Sequence, residues 1–470
     1  MGNLLVLIFI LCILNSILFF GKTLGLNVIL FILPLLSFLI YVLKSNKKII
    51  NKKGLLFIIP ILLISSSYLI HNNIFFKILN ALVIPILFVF MYIYLINPTY
   101  KIRNLLKDTI YLIFKPLEFI GNFYRVVKKK IDDALKLSDD SKKKIRSILI
   151  VIPIIIIILL LLSSADMIFS SIFNNVFNIL KKISIENLIG RIILIIILFT
   201  YMGAQINYIL FGYKEDTDSK NEIKIETYTI KLLLTLLNIT YIIFDFIQIR
   251  SLIFHQVSTN INYAQYARSG FFQLMFISLI NLSIILISKK SKEDTKYNKV
   301  MSIIMILLTF VIIISSFLRM YMYESAYGYT LLRLLVYVIL ITEAILFIPT
   351  IICIINPKQK ILKTYIFITI TIYTMLSLYP VDYFIANNNI NRYYKTGKID
   401  ISYLKNHNTD NIPMLCELYN KLENIDEKNN LKLYLQGVHN NNQIKSIQEY
   451  NISKKNAIKS IEKCLNYEKK

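Results

Sequence analysis

The chain has 470 residues, 56% of them hydrophobic and only 17% charged, with a formal net charge of +25. A soluble globular protein runs about 45–50% apolar and about 25% charged, so an ordinary soluble domain is excluded. With 12 Gly, 10 Pro and 4 Cys, a collagen-like fibre and a small disulfide scaffold are excluded too, and the apolar content excludes global disorder.

A membrane-spanning helix needs about 20 mostly apolar residues. Eleven runs approach this length: 3–20, 26–43, 55–70, 78–96, 147–163, 188–212, 228–249, 271–288, 300–317, 330–352 and 364–380. Each is more uniformly apolar than a core helix with one polar face. The run at 55–70 is the shortest, and a ten-span reading would make it re-entrant or interfacial. The first run has no Lys or Arg before it and no small-residue cleavage site after it, so it reads as a retained helix. Val6 stands where a myristoylation signal needs Ser or Thr.

The fold class expected is therefore all-α: a polytopic membrane bundle of about 11 helices with a small C-terminal helical extramembrane domain. Four regions are expected: an N-terminal four-helix region at 1–96, a basic cytoplasmic loop at 97–146, a seven-helix core at 147–380, and a helical tail at 381–470.

The charge serves topology. With the N-terminus inside, the inner loops hold 28 Lys and Arg and the outer loops hold 7. That bias predicts a cytoplasmic N-terminus. Eleven spans would leave the tail extracytoplasmic. The longest inner loop carries Lys128–Lys130 and Lys142–Lys144, with Ile110, Ile113, Phe114, Leu117 and Ile120 near helical spacing. Two readings stay open: an amphipathic helix on anionic inner-leaflet lipids, or a solvated hairpin. No aromatic-basic motif points to nucleic acid.

After residue 381 the apolar runs stop. Helical patterns are expected at about 410–423, with Asp410 as a cap, and at 444–465, with a loop at Asn440–Asn442. Cys416 and Cys464 both lie in this tail, and whether they pair is open. The four His are scattered and there is no CxxC, so neither a metal site nor a cofactor is expected.

Ionisable residues inside spans are costly and often functional. Asn238, Tyr241, Asp245 and Gln248 fall at i, i+3, i+7 and i+10, one face of one helix. Arg333, Tyr337 and Glu343 share a broader face of another, which leaves an Asp245–Arg333 ion pair open. Outer segments interleave aromatic and charged residues where an interfacial belt would need only the aromatics. They suggest an outer binding cluster of Asp166, Arg268, Arg319, Glu324 and Arg333.

Four of these segments, SSADMIF (163–169), NYAQYARSGFFQL (262–274), RMYMYESAYGYTLLR (319–333) and NNNINRYYKTGKIDISYL (387–404), occur in this order. As a set they resemble the motifs of a bacterial integral-membrane family known as domain of unknown function 4153, with its relative 4173. The resemblance spans roughly 163–415. It implies a multi-span protein of the bacterial cytoplasmic membrane, and it carries no catalytic residues.

Three functions are weighed. A non-enzymatic envelope accessory, sensor or scaffold is favoured by the lack of any nucleotide, metal or triad signature. A transporter is motivated by Asp245, Arg333 and Glu343, though no broken paired spans suggest inverted repeats. A membrane transferase acting on a lipid-linked substrate would resemble this layout, but Gly21–Gly25 has no acidic residue. An envelope protein partner and the oligomeric state are left open. The topology has a direct test: a cysteine placed at Ser446 should be labelled in intact cells, and one at Ser141 should be protected.

Overall fold

A computed structural model describes residues 2–46, 51–96, 105–135, 185–209, 224–250, 270–293, 295–356, 361–405 and 409–465. Among them, helix is the regular structure, apart from one isolated bridge between Ile225 and Ser291. Among the described residues, nine helices are long and apolar enough to cross a membrane. They match nine of the eleven expected runs. The first run forms a slightly shorter apolar helix, Asn3–Phe19, and the run at 147–163 lies outside the described residues. An all-α polytopic bundle is thus the architecture.

The chain divides into two compact units, Met1–Leu55 with Val89–Glu215, and Leu56–Phe88 with Asp216–Lys470. In the first, α1 (Gly2–Phe19) packs against α2 (Leu26–Ser45) and α8 (Ile185–Asn207). The core joins Ile8, Leu11 and Cys12 to Phe38, Val42 and Ile206. The basic segment forms α6 (Leu105–Phe114), a 3-10 turn and α7 (Ile120–Leu135). Phe123 of α7 is 1% exposed because Gly203 of α8 leaves room for it; a Cβ there would stand 2.1 Å from the ring.

In the second unit α4 (Ile58–Ile70) and α5 (Ile74–Ile96) form a hairpin. Thirteen residues of α4 reach only about 20 Å, short of a hydrocarbon core of about 30 Å. With Lys52–Leu55 (α3) and the two residues that follow it, the apolar segment Lys52–Ile70 reaches 19 residues. The central bundle is α9 (Thr227–Gln248), α10 (Phe271–Ser288), α11 (Lys296–Tyr327), α12 (Leu331–Ile355) and α13 (Ile361–Leu378). Its core runs through Leu234, Ile285, Met305, Leu340 and Phe347.

The structure departs from expectation at the end of α11. The segment 318–329 was expected as an outer loop, yet residues to Tyr327 continue α11, which reaches 32 residues. Nothing in RMYMYESAY breaks a helix; Gly328 does, at φ +83. A side chain at Gly328 would also collide with Asn389, since its Cβ would lie 2.4 Å from Oδ1. NNNINRYY, to which no element is assigned from sequence, is helical, within α14 (Val381–Thr396).

The tail continues with α15 (Ile401–Lys405), α16 (Ile412–Lys421), α17 (Ile425–Asn441) and α18 (Ile452–Cys464). Helix α17 was not anticipated; Asn424 starts it by accepting from Asp426 N and Glu427 N. The tail core gathers Ile385, Leu404, Leu415, Leu418, Leu435 and Ile461, and it includes Phe76 from α5. Cys416 and Cys464 are neighbouring free thiols, with Cys464 Sγ 3.6 Å from Cys416 O.

Asp410 does not cap α16. Its carboxylate accepts from Asn72 N, at 2.9 and 3.2 Å, in the turn of the α4–α5 hairpin. Asn451 adds a second tie. Its Oδ1 accepts from Lys454 N and caps α18, while its Nδ2 donates to Tyr68 O and His71 O, each at 2.8 Å. One amide thus closes the end of one helix and the start of another. Asn451→Ala should cost about 1–3 kcal/mol, read as a lower midpoint in thermal unfolding of the purified protein.

Candidate functional site

The face of α9 anticipated from spacing is buried: Asn238, Asp245 and Gln248 are at most 5% exposed. Asn238 Nδ2 donates to Met301 O at 2.9 Å, and its Oδ1 has no hydrogen-bond partner. Tyr241 Oη donates to Asn281 Oδ1 at 2.7 Å, Asn281 Nδ2 to Thr309 Oγ1 at 3.0 Å, and Thr309 Oγ1 to Met305 O at 2.7 Å. Three helices are stitched by one directional chain of donors.

Asp245 is 4% exposed, and neither carboxyl oxygen has a hydrogen-bond partner. Glu343 on α12 is 1% exposed. Its Oε2 contacts Ser278 Oγ of α10, and its Oε1 has no partner. Ser278 also donates to Met275 O at 2.7 Å. A hydroxyl carries one proton. That proton goes either to Met275 O or to Glu343 Oε2.

The arginines lie elsewhere. Arg333, 8% exposed, donates from Nη1 to Gly328 O and sits 4.2 Å over the Tyr323 ring. It does not pair with Asp245; the exposed carbonyl at the end of α11 and the ring face take its charge. Glu324, 6% exposed, lies beside the Tyr329 and Tyr337 side chains and within electrostatic reach of Arg333. Burial and the Glu324 charge push the Tyr329 phenol up to about 12. Arg319 donates from Nη2 to Gln248 Oε1 at 3.0 Å. Its Nη1 lies where a Cβ at Gly270 would come within 2.9 Å, and Gly270 has φ +92. Five residues apart on one helix, Arg319 and Glu324 point about 140° from each other. The structure therefore brings Glu324 and Arg333 together and turns Arg319 toward α9. Asp166 and Arg268 lie outside the described residues.

Several groups were missed from sequence alone. Ser278, Asn281 and Ser288 share one face of α10, and Ser302, Thr309 and Ser316 recur every seven residues on α11. Small polar residues at that spacing in apolar runs were the available signal. The hairpin turn was missed as well. Asn73 Nδ2 donates to Asp382 Oδ2 at 2.8 Å, and Asn80 joins Ser67 to Ser377. His71 Nε2 donates to Leu378 O at 2.8 Å, which leaves Nδ1 facing Asp410 at 3.9 Å.

A family model, Domain of unknown function (DUF4153), matches residues 58–418. The chain belongs to this family. The match includes every site residue named above. No curated protein and no solved structure matches the chain.

The hairpin turn gives a pH test. Burial lowers the His71 pKa, but the hydrogen bond and charge of Asp410, the Leu378 carbonyl and the charge of Asp382 outweigh it and raise it overall. Lys77 and Lys454 also lie nearby, and burial lowers Lys454. A His raised on folding stabilises below its unfolded value, and that gain is lost as pH climbs through the folded value. Thermal stability should thus fall as pH rises from about 6.5 through the raised folded value of His71, and His71→Gln should flatten the dependence.

Proposed function

We propose that this chain is a membrane carrier in which Asp245 and Glu343 take up and release protons as the bundle changes state. The observation that carries this reading is the set of unpartnered carboxyl oxygens inside the α9–α12 bundle. A bare carboxylate in hydrocarbon is strongly disfavoured, so such a group holds a proton or a cation, or meets water in another state. A bundle built only to hold itself together would consume these groups in pairs. The donor chain from Tyr241 to Met305 and the Ser278 hydroxyl supply polar partners in the same bundle. The proposal includes a cytoplasmic N-terminus in a cell membrane, on the strength of the loop charges.

A scaffold or sensor reading is favoured by one separate observation. Two described members of the outer cluster are engaged internally, Arg333 on Gly328 O and Arg319 on Gln248, and next to them Arg392 donates to Ala326 O at 2.6 Å. On that reading the tail and the polar end of α11 form a platform for another envelope protein.

Reconstituted vesicles separate the two. With an imposed pH gradient, the wild type should dissipate it, and Asp245→Asn and Glu343→Gln should each slow the flux by about tenfold or more. Equal flux in wild type and both variants, with all three folded, would remove the carrier reading.

A further inference from the structure

A separate cavity of about 420 Å³ opens where α10 ends, α11 begins, and α12 gives way to α13. Four helix ends meet there, so it lies at one boundary of the bundle, away from Gly328 and the tail. Its lining includes Lys289, Lys299, Ser291, Asn298, Ser302 and Cys353. We propose that this cavity binds the phosphate group of an anionic ligand.

Charge is the first argument. Two lysines line one small cavity, and Lys289 Nζ lies 2.5 Å from Sγ of Cys353, another lining residue. Among the described residues of the lining the one carboxylate, Glu293, is on an exposed residue. The helix field adds to this. Asn298 and Lys299 belong to the first turn of α11, whose aligned peptide dipoles favour an anion at that end. Thr295 caps the helix by accepting from Asn298 N at 3.3 Å, and that satisfies one of the free amide groups of the turn.

The second argument is independent of charge. Asn298 is 5% exposed, lines the cavity, and has an Oδ1 with no hydrogen-bond partner. Its Nδ2 reaches only Ser291 Oγ, at 3.4 Å. A buried amide left half-satisfied loses free energy that a ligand can restore. Half a turn about its last side-chain bond places Oδ1 beside Ser291 Oγ, which donates to it once the Thr227 hydroxyl, 3.2 Å away, turns its own proton to Ser291, and it frees Nδ2 for another acceptor. An anion then meets the amide, the ammonium groups and the Ser302 hydroxyl. A phosphate, with several acceptor oxygens, fits that mixed donor set better than a carboxylate.

The phosphate could arrive on a phospholipid at the membrane boundary or on a soluble ester, and the experiment separates them. Delipidated full-length protein in detergent is titrated with short-chain phosphatidylglycerol and, separately, with inorganic phosphate. The midpoint of thermal unfolding and native mass spectrometry report binding. At least one ligand should bind. The double variant Lys289→Gln/Lys299→Gln should weaken that binding by about tenfold or more, as expected for losing charged hydrogen bonds. Lys445→Gln, in the tail, should leave it unchanged. Binding of phosphatidylglycerol alone assigns a lipid headgroup; competition by inorganic phosphate assigns a soluble source. If the double variant fails to fold, Asn298→Asp, which places a negative charge in the cavity at nearly constant shape, should produce the same loss. No binding of either ligand, or equal binding by wild type and the folded variants, would overturn the proposal.

Discussion

Hydrocarbon offers no hydrogen bonds, so every polar group inside the bundle must find its partner in the protein. That constraint sorts this chain's polar residues into two kinds. The arginines are cations with several donors, and a helix end provides carbonyls without partners. Arg333 and Arg392 therefore go to the last turn of α11 and the residues after it, and Tyr323 supplies a ring face. Carboxylates only accept, and a helix interior has no free donors. Glu343 finds one hydroxyl, and Asp245 finds none. The asymmetry between the two charges follows from backbone chemistry, and it leaves the acids as the groups with capacity to change state.

Asparagine solves the complementary problem. Its amide carries a donor and an acceptor side by side, so one residue can serve two backbone segments. Asn389 both accepts from Tyr329 N and donates to Tyr329 O, each at 2.8 Å. Asn73 accepts from Phe76 N while donating to Asp382. Asn451 does the same between α4 and α18. The polar composition that sets the tail apart from the apolar helices is also what fastens it to the α4–α5 turn. Phe76, buried in the tail core, completes the joint with apolar area.

Much of this fold can be read from sequence because lipid imposes one simple demand, a long apolar run per crossing. Nine runs became helices of spanning length for that reason. The face of Asn238, Asp245 and Gln248 was legible too, since helical periodicity alone places them together. What was not legible depended on partners distant in the chain. Asp410 looks like a helix cap from its neighbours and serves Asn72 instead, 338 residues away. Arg333 has a plausible acid partner in sequence and takes a carbonyl five residues back. The helical end of α11 was hidden by its polar composition, which resembles a loop although no residue in it interrupts a helix before Gly328.

Helix α11 has 32 residues, a rod of about 48 Å. Its first turn borders the basic cavity, Thr309 sits in the polar layer, and Glu324 stands near its far end. A continuous helix is stiff along its axis, so tilting at one end is delivered to the other as leverage rather than absorbed. The rod stops at Gly328, and the next residue is gripped on both backbone groups by Asn389. That latch holds the lever to the tail. Rocking of α11 would be transmitted through two hydrogen bonds to the tail helices, which makes Asn389 the coupling point between the rod and the tail.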